Sequence, residues 1–318
     1  MAEWLIERGI GETRAALIED GLIVEARIML DGVTPSGTVL AAKLINVGQA
    51  GRNAVVRDDQ GIEYLLPKAA AGVTQGAALN VGILREAIPG SEPWKRALAR
   101  ASDNPPSQMP TLNGREIIFP SPGRNEFDEA GWDDVVEQAR SGVVQFAGGS
   151  LRISLTPAMT LIDVDGSLAP GELAVTGAAQ AALAIRRLDI GGSIGIDLPT
   201  TTGKAPRQAA ATAIDQNLPQ PFERTAVNGF GFVQIVRPRT RPSLLEIWSD
   251  RAGAEARVLL RRAAFESGPR RLVAHSAVIA VLEHNPPWLD ALARQLGGAV
   301  TLRSDPSLAI SAGHAEPA

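Results

Sequence analysis

The chain contains no cysteine, only three histidines and only 4% aromatic residues among its 318 positions. The missing cysteine excludes disulfides, thiolate catalysis and cysteine-ligated zinc, and it leaves the redox compartment open. His275, His284 and His314 lack metal-ligand spacing, so exposed or capping roles are expected for them. There is no excess of basic charge. The net charge of −4 means that any nucleic-acid site must be a local patch. No apolar run approaches the length of a membrane span. Glu3 and Glu7 interrupt MAEWLIERG, which does not fit a signal peptide. A cytoplasmic protein without membrane contact is the expectation. What is present, 45% hydrophobic and 21% charged residues, suits an ordinary globular chain of two domains or one elaborated one.

The most informative stretch is Thr160 to Pro199, TLIDVDGSLAPGELAVTGAAQAALAIRRLDIGGSIGIDLP. Two short apolar runs deliver Asp163 and Asp197, and an alanine-rich, helix-compatible segment separates them. Strand, helix, strand at this length reads as a crossover unit with both strands in one sheet. Asp163 and Asp197 then lie close together at one sheet edge, with Asp165 beside them. Crowded carboxylates repel unless a cation sits between them, and magnesium commonly binds through one or two carboxylates. The bland alternative is that each aspartate is a turn residue or helix cap.

The rest of the chain reads in order. Residues 3–29 predict a β-meander with a hairpin at Asp20-Gly21. Gly9-Ile10-Gly11 lacks the third glycine of a dinucleotide fingerprint and reads as a turn. Residues 36–100 alternate short β-like runs with glycine-rich turns, which suits an OB-type barrel. Tyr64 and Trp94 are its only aromatics, so the barrel pattern alone does not imply base stacking. Residues 101–128 read as a linker, followed by a short helix from Glu129 to Arg140 and a hairpin turning at Gly148-Gly149. Lys204 to Leu218 predicts a helix. Gly203-Lys204 is no phosphate loop, because Leu198 and Ala205 occupy positions that require Gly and Ser or Thr. A strand from Phe230 to Val236 leads into RPRTR. On an extended chain Arg237, Arg239 and Arg241 point to one side, either as a solvated face or as a phosphate clamp. From Leu244 onward helices are expected, then a strand at Ala299 to Arg303 and a frayed tail from Ser311.

Two blocks carry a resemblance: GGSLRISLTPAMTLIDVDGS (Gly148 to Ser167) and RRLDIGGSIGIDL (Arg186 to Leu198). They resemble the ribonuclease E and G family, in which a Gly-Gly hairpin leads to an IDVN element and a later element ends in IDF. FGFVQIVRPRTRPSL, GIEYLLP and VIAVLEHNPPWLDALARQLG fall in the family's order, so the resemblance spans most of the chain. It implies an α+β fold: an RNase H-like/DNase I-like catalytic core with an inserted OB-type β-barrel. The corresponding divisions are residues 1–35 (N-terminal meander of the RNase H-like part), 36–100 (OB-type RNA-binding domain), 101–142 (linker and shortened remainder), 143–248 (DNase I-like part) and 249–318 (C-terminal helical segment).

The implied activity is endonucleolytic cleavage of single-stranded RNA with magnesium, or manganese as its substitute, leaving a 5′-phosphate and a 3′-hydroxyl. Asp163 and Asp197 match the metal-binding aspartates, and Asp165 stands where the family has a supporting asparagine. Arg187, Lys204, Arg237, Arg239 and Arg241 are the candidate RNA contacts. The departures are equally specific. Thr156-Pro157-Ala158-Met159 lacks the family's glutamate, and Val55 and Leu65 replace its stacking phenylalanines. The Cys-Pro-x-Cys zinc link and the Arg-Thr pair of the 5′-phosphate sensor have no counterpart. Any homo-oligomer must form without the zinc link. Three readings stand: an endoribonuclease, a non-catalytic RNA-binding protein on the same fold, and a phosphodiesterase with another substrate.

Overall fold

The computed structural model describes residues 2–50, 52–69, 72–89, 95–109, 112–120 and 125–318. The chain is a mixed α+β protein that divides into two compact units. One comprises Met1–Asp31, Gly114–Trp132 and Ile247–Ala318, and the other Gly32–Asn113 and Asp133–Glu246. Trp94 and Arg124 lie outside the described residues.

In the first unit, strands β1 (Glu3–Arg8), β2 (Glu12–Glu19) and β3 (Leu22–Leu30) form an antiparallel meander. Asp20 and Gly21 both have positive φ, 52° and 80°, as a two-residue type I′ turn requires. β9 (Arg115–Ile117) adds to β1 in parallel, so the stretch expected as linker contains a strand. Three residues are too few to show alternation, and the open edge of β1 supplies the pairing that sequence could not show. The helix expected from Glu129 to Arg140 is α2 (Trp132–Ser141), which crosses into the second unit, and a one-turn helix α1 (Glu126–Glu129) precedes it in the stretch expected as linker. Gly131, at φ 91°, separates them.

The C-terminal part of this unit contains helices α6 (Arg251–Ala263), α7 (Ser276–Glu283) and α8 (Pro286–Leu296). They accompany the sheet β17-β16-β18, with β16 at Arg270–Ala274, β17 at Val300–Ser304 and β18 at His314–Pro317. Leu259, Leu260, Leu272, Val278, Leu282 and Leu292 form its core. β16 is a strand between two of the expected helices that the sequence did not announce, and β18 corrects the frayed tail. HAEP has no apolar alternation and is ordered through backbone pairing with β16. His275 Nδ1 accepts from the Ala277 N–H at the start of α7, a capping role.

A buried ion network joins this unit's strands to α6. Arg14 donates two hydrogen bonds to Glu7, at 2.7 and 2.9 Å, while its guanidinium lies 4.5 Å from the Phe127 ring centroid. Glu12 accepts from Arg257 at 2.9 Å and from Arg261 at 2.6 Å, and Arg261 also donates to Glu7. Burial alone raises the Glu12 pKa, but Arg261 and Arg257 outweigh it and hold the carboxyl below its ordinary range.

In the second unit, β4 (Val39–Asn46), β5 (Arg52–Arg57), β6 (Glu63–Lys68), β7 (Ala78–Arg85) and β8 (Leu98–Ala101) close into a five-stranded barrel, compatible with the OB type. Leu44, Val56, Leu66, Val81 and Ile83 fill it. Tyr64 is part of that core. Its hydroxyl donates to Asp58 at 2.8 Å, and burial pushes its pKa up to about 12. Val55 and Leu65 face each other across β5 and β6, half-buried.

The same unit holds a six-stranded sheet, ordered β10 (Val143–Phe146), β11 (Gly149–Leu155), β12 (Thr160–Gly166), β13 (Gly192–Asp197), β15 (Phe232–Arg237), β14 (Glu223–Arg224). The β10–β11 turn falls on Ala147-Gly148, one residue earlier than expected, because Phe146 pairs with Gly149. β12 and β13 pair in parallel, joined by α3 (Pro170–Arg187), as the crossover pattern required. α3 packs against β11, β12 and α4 (Ala205–Asn217). Small residues permit the close approach: a Cβ on Gly177 of α3 would meet Val164 at 2.3 Å. α5 (Leu244–Ser249) leads back to the first unit.

Candidate active site

The period-2 geometry of β12 decides which side chains are available. Ile162 and Val164 are buried, while Leu161, Asp163 and Asp165 alternate with them on the exposed face. The parallel register pairs Asp163 with Asp197, the last residue of β13. Neighbouring strands are about 4.8 Å apart, so the two carboxylates are direct cross-strand neighbours. Arg152 of β11 pairs with Asp163, and Phe232 of β15 pairs with Asp197. One row across four strands therefore reads Arg152, Asp163, Asp197, Phe232. Asp165 lies in the next row, opposite Ser150.

The electrostatics follow from this row. The Asp163 carboxyl is raised above its ordinary value, by desolvation first and then by the negative charges of Asp165 and Asp197. Arg152 and a backbone hydrogen bond from Val164 oppose the rise without cancelling it. Among the described residues no group of three or more His, Cys, Asp or Glu side chains is placed to share a metal ion. The donor set is thus a pair of carboxylates whose negative charge Arg152 offsets only in part. That fits a hard cation of the magnesium type, which keeps several waters and needs only one or two carboxylates.

Below the acidic row the sheet face is partly apolar. A Cβ on Gly195 would lie 2.6 Å from the Phe232 ring and 3.0 Å from Leu161, so both side chains lie over this glycine. Gln234 donates to the Ser193 hydroxyl at 3.0 Å. The loop after Asp197 is tied to the turn before β15: the Leu198 N–H donates to Gly231 O, and the Thr200 hydroxyl donates to Phe230 O.

The RPRTR arginines do not stand beside the aspartates: Arg237 pairs with Gly192, at the opposite end of β13 from Asp197. Arg187, the last residue of α3, is half-buried. Desolvation lowers its pKa, against the attraction of Asp134. Lys204 is exposed at the N-cap of α4. The expectation that Arg237, Arg239 and Arg241 share one side needs correction. β15 ends at Arg237, and Pro238, lacking an N–H, cannot extend the ladder. Arg237 and Arg241 converge on Asp189, at 3.5 and 3.1 Å, whereas Arg239 pairs with Glu246. All three are half-buried and ion-paired.

Arg152, Phe232 and Asp189 were missed in the sequence reading. For Arg152 a signal existed. The four-residue loop Thr156–Met159 sets the β11–β12 register, and counting back from Leu155↔Thr160 puts Arg152 opposite Asp163. Among the described residues, no helix is long and apolar enough to cross a membrane. Comparison with protein-family models gives no match, and comparison with curated proteins gives none.

Proposed function

We propose that the chain is a metal-dependent endoribonuclease of the ribonuclease E/G type, cleaving single-stranded RNA to 5′-phosphate and 3′-hydroxyl ends. The observation that carries this reading is the pairing of Asp163 with Asp197 on the open face of the six-stranded sheet. On this reading that sheet with α3 and α4 is the DNase I-like part, the β3-β2-β1-β9 sheet belongs to the RNase H-like part, and the closed barrel is the OB-type RNA-binding domain. Residues 39–101 carry eight Lys or Arg against five Asp or Glu, a local positive excess in a chain of net charge −4. Such an excess suits a polyanion.

Asp163 and Asp197 would hold the magnesium or manganese ion. When bound, the ion would neutralise phosphodiester charge and lower the pKa of a water molecule. Arg152 adds positive charge in the same row, suited to a phosphate oxygen. Asp165 strengthens the negative field that attracts the cation. A cytoplasmic setting, and self-association without a zinc link, belong to the same reading. A second reading is favoured by the two-carboxylate donor set and by Val55 and Leu65 on the barrel: an RNA-binding protein on the same fold that has lost turnover.

Incubation of purified protein with labelled single-stranded RNA, with magnesium and with EDTA, separates these readings. Cleavage with magnesium alone, lost in Asp163→Asn and Asp197→Asn, is the expected result. Turnover unchanged in either variant removes the metal assignment. Binding without cleavage leaves the second reading.

A further inference from the structure

Phe230 stands out in the turn before β15. It is 81% exposed, although the chain has only seven phenylalanines. Its exposure is built into the backbone. The Asn228 side chain accepts from the N–H groups of Phe230 (2.9 Å) and Phe232 (3.1 Å). Asn228 and Gly231 close the turn through backbone hydrogen bonds, and Thr200 anchors the Phe230 carbonyl at 3.1 Å. Gly231 has φ +94°, and a Cβ there would lie 2.1 Å from Leu198 O. The turn is therefore locked against the segment immediately following Asp197. Two residues on, Phe232 is the register partner of Asp197 and lies over Gly195 beside Leu161.

We infer that Phe230 is a stacking platform for one unpaired base of the nucleic acid whose phosphate would sit at the ion that Asp163 and Asp197 would hold. The inference rests on the endoribonuclease reading and adds a subsite to it. The mixed lining selects the occupant. The apolar side chains Leu161 and Phe232 border the Asp163–Asp197 pair, Arg152 and the polar Gln234 and Ser193. A protein partner needs a wider apolar contact, whereas a nucleotide needs one π-face next to a phosphate-binding site. Stacking on an aromatic side chain tolerates any base, because every base has a π-face. The platform therefore strengthens binding and fixes the strand without choosing a sequence.

The test uses the full chain carrying Asp163→Asn, so that bound RNA is not consumed. The probes are a labelled single-stranded RNA of mixed sequence and an abasic ribose-phosphate oligomer of the same length. Phe230→Ala should weaken RNA binding by about 5- to 150-fold and leave binding of the abasic oligomer unchanged. Phe230→Trp should restore RNA affinity, and Phe230→Leu should not. The exposed position predicts an unchanged unfolding temperature in all three, which separates the effect from misfolding. RNA binding that is indifferent to Phe230, or an equal loss for both probes, overturns the platform and leaves the nuclease reading standing. If the parent protein binds no RNA, both fall.

Discussion

The aspartate pair should lower the stability of the metal-free protein, and Asp197→Asn should relieve that penalty. The two carboxylates are cross-strand neighbours on an exposed face. At about 5 Å, two like charges repel by about 0.8 kcal/mol in water, and by several times more at an effective dielectric of about 20. Solvent exposure keeps the pair near the lower figure, in line with about 0.2–1 kcal/mol for like charges opposed across strands. The variant should therefore gain about 0.5–1 kcal/mol in EDTA at low salt. That corresponds to about 1–4 °C in unfolding temperature for units of this size. The pH dependence has a fixed sign. Asp163 is raised, so the folded state holds its proton more tightly than the unfolded chain and stability falls as pH rises. The variant's advantage should be absent below the ordinary aspartate value of 3.8 and complete above the raised one. Magnesium should reverse the order, since a ligand at ten times its Kd adds about 1.4 kcal/mol to the parent and little to the variant. Thermal unfolding in EDTA, in magnesium and in 1 M KCl measures all of this. A variant less stable than the parent in EDTA, or a gain that survives 1 M KCl, where the screening length is about 3 Å, would refute the reasoning.

Glu12→Gln should cost about 3–5 kcal/mol, because it strands Arg257 and Arg261 in a buried site. Urea denaturation at pH 7 reads the loss directly. The depressed Glu12 carboxyl adds stability above its ordinary value of 4.5, lost as pH falls through the lower folded value, and the variant should lack that acid-range slope. Asp189→Asn frees Arg237 and Arg241 from their shared partner. It should steepen the salt dependence of RNA binding by up to about two phosphate equivalents, and an unchanged slope would return both arginines to a structural role. RNAs with 5′-hydroxyl and 5′-monophosphate ends should be cleaved at similar rates, since no Arg-Thr pair is present between Ala101 and Gly142. A preference above about tenfold, or 1.4 kcal/mol, would reveal a sensing site.

Much of the architecture was legible because it is local. Asp20-Gly21 admits few conformations other than a tight hairpin turn, and alternation with regular turns marked the barrel strands. The run from Thr160 to Pro199 carries its own crossover, since apolar runs bounded by glycine and proline flank an alanine-rich, helix-compatible segment. The pairing of Asp163 with Asp197 follows almost directly, because parallel strands joined this way end at the same edge of the sheet.

Other features depend on partners remote in sequence. β9 and β18 have no strand signal of their own, and they exist because β1 and β16 present unpaired edges. RPRTR looked like one basic row until Pro238 ended the ladder and Asp189, held at φ 51°, drew in Arg237 and Arg241. Tyr64 could have stacked a base, but the barrel closed around it and gave its hydroxyl to Asp58. The sequence by itself determined most of the longer elements and the edge to which the two aspartates come, since backbone periodicity and turn chemistry act within a few residues. The tertiary structure alone decided which charges are neutralised, which aromatics are exposed and which side chain stands beside Asp163. Those outcomes depend on register and on side chains tens to hundreds of positions away.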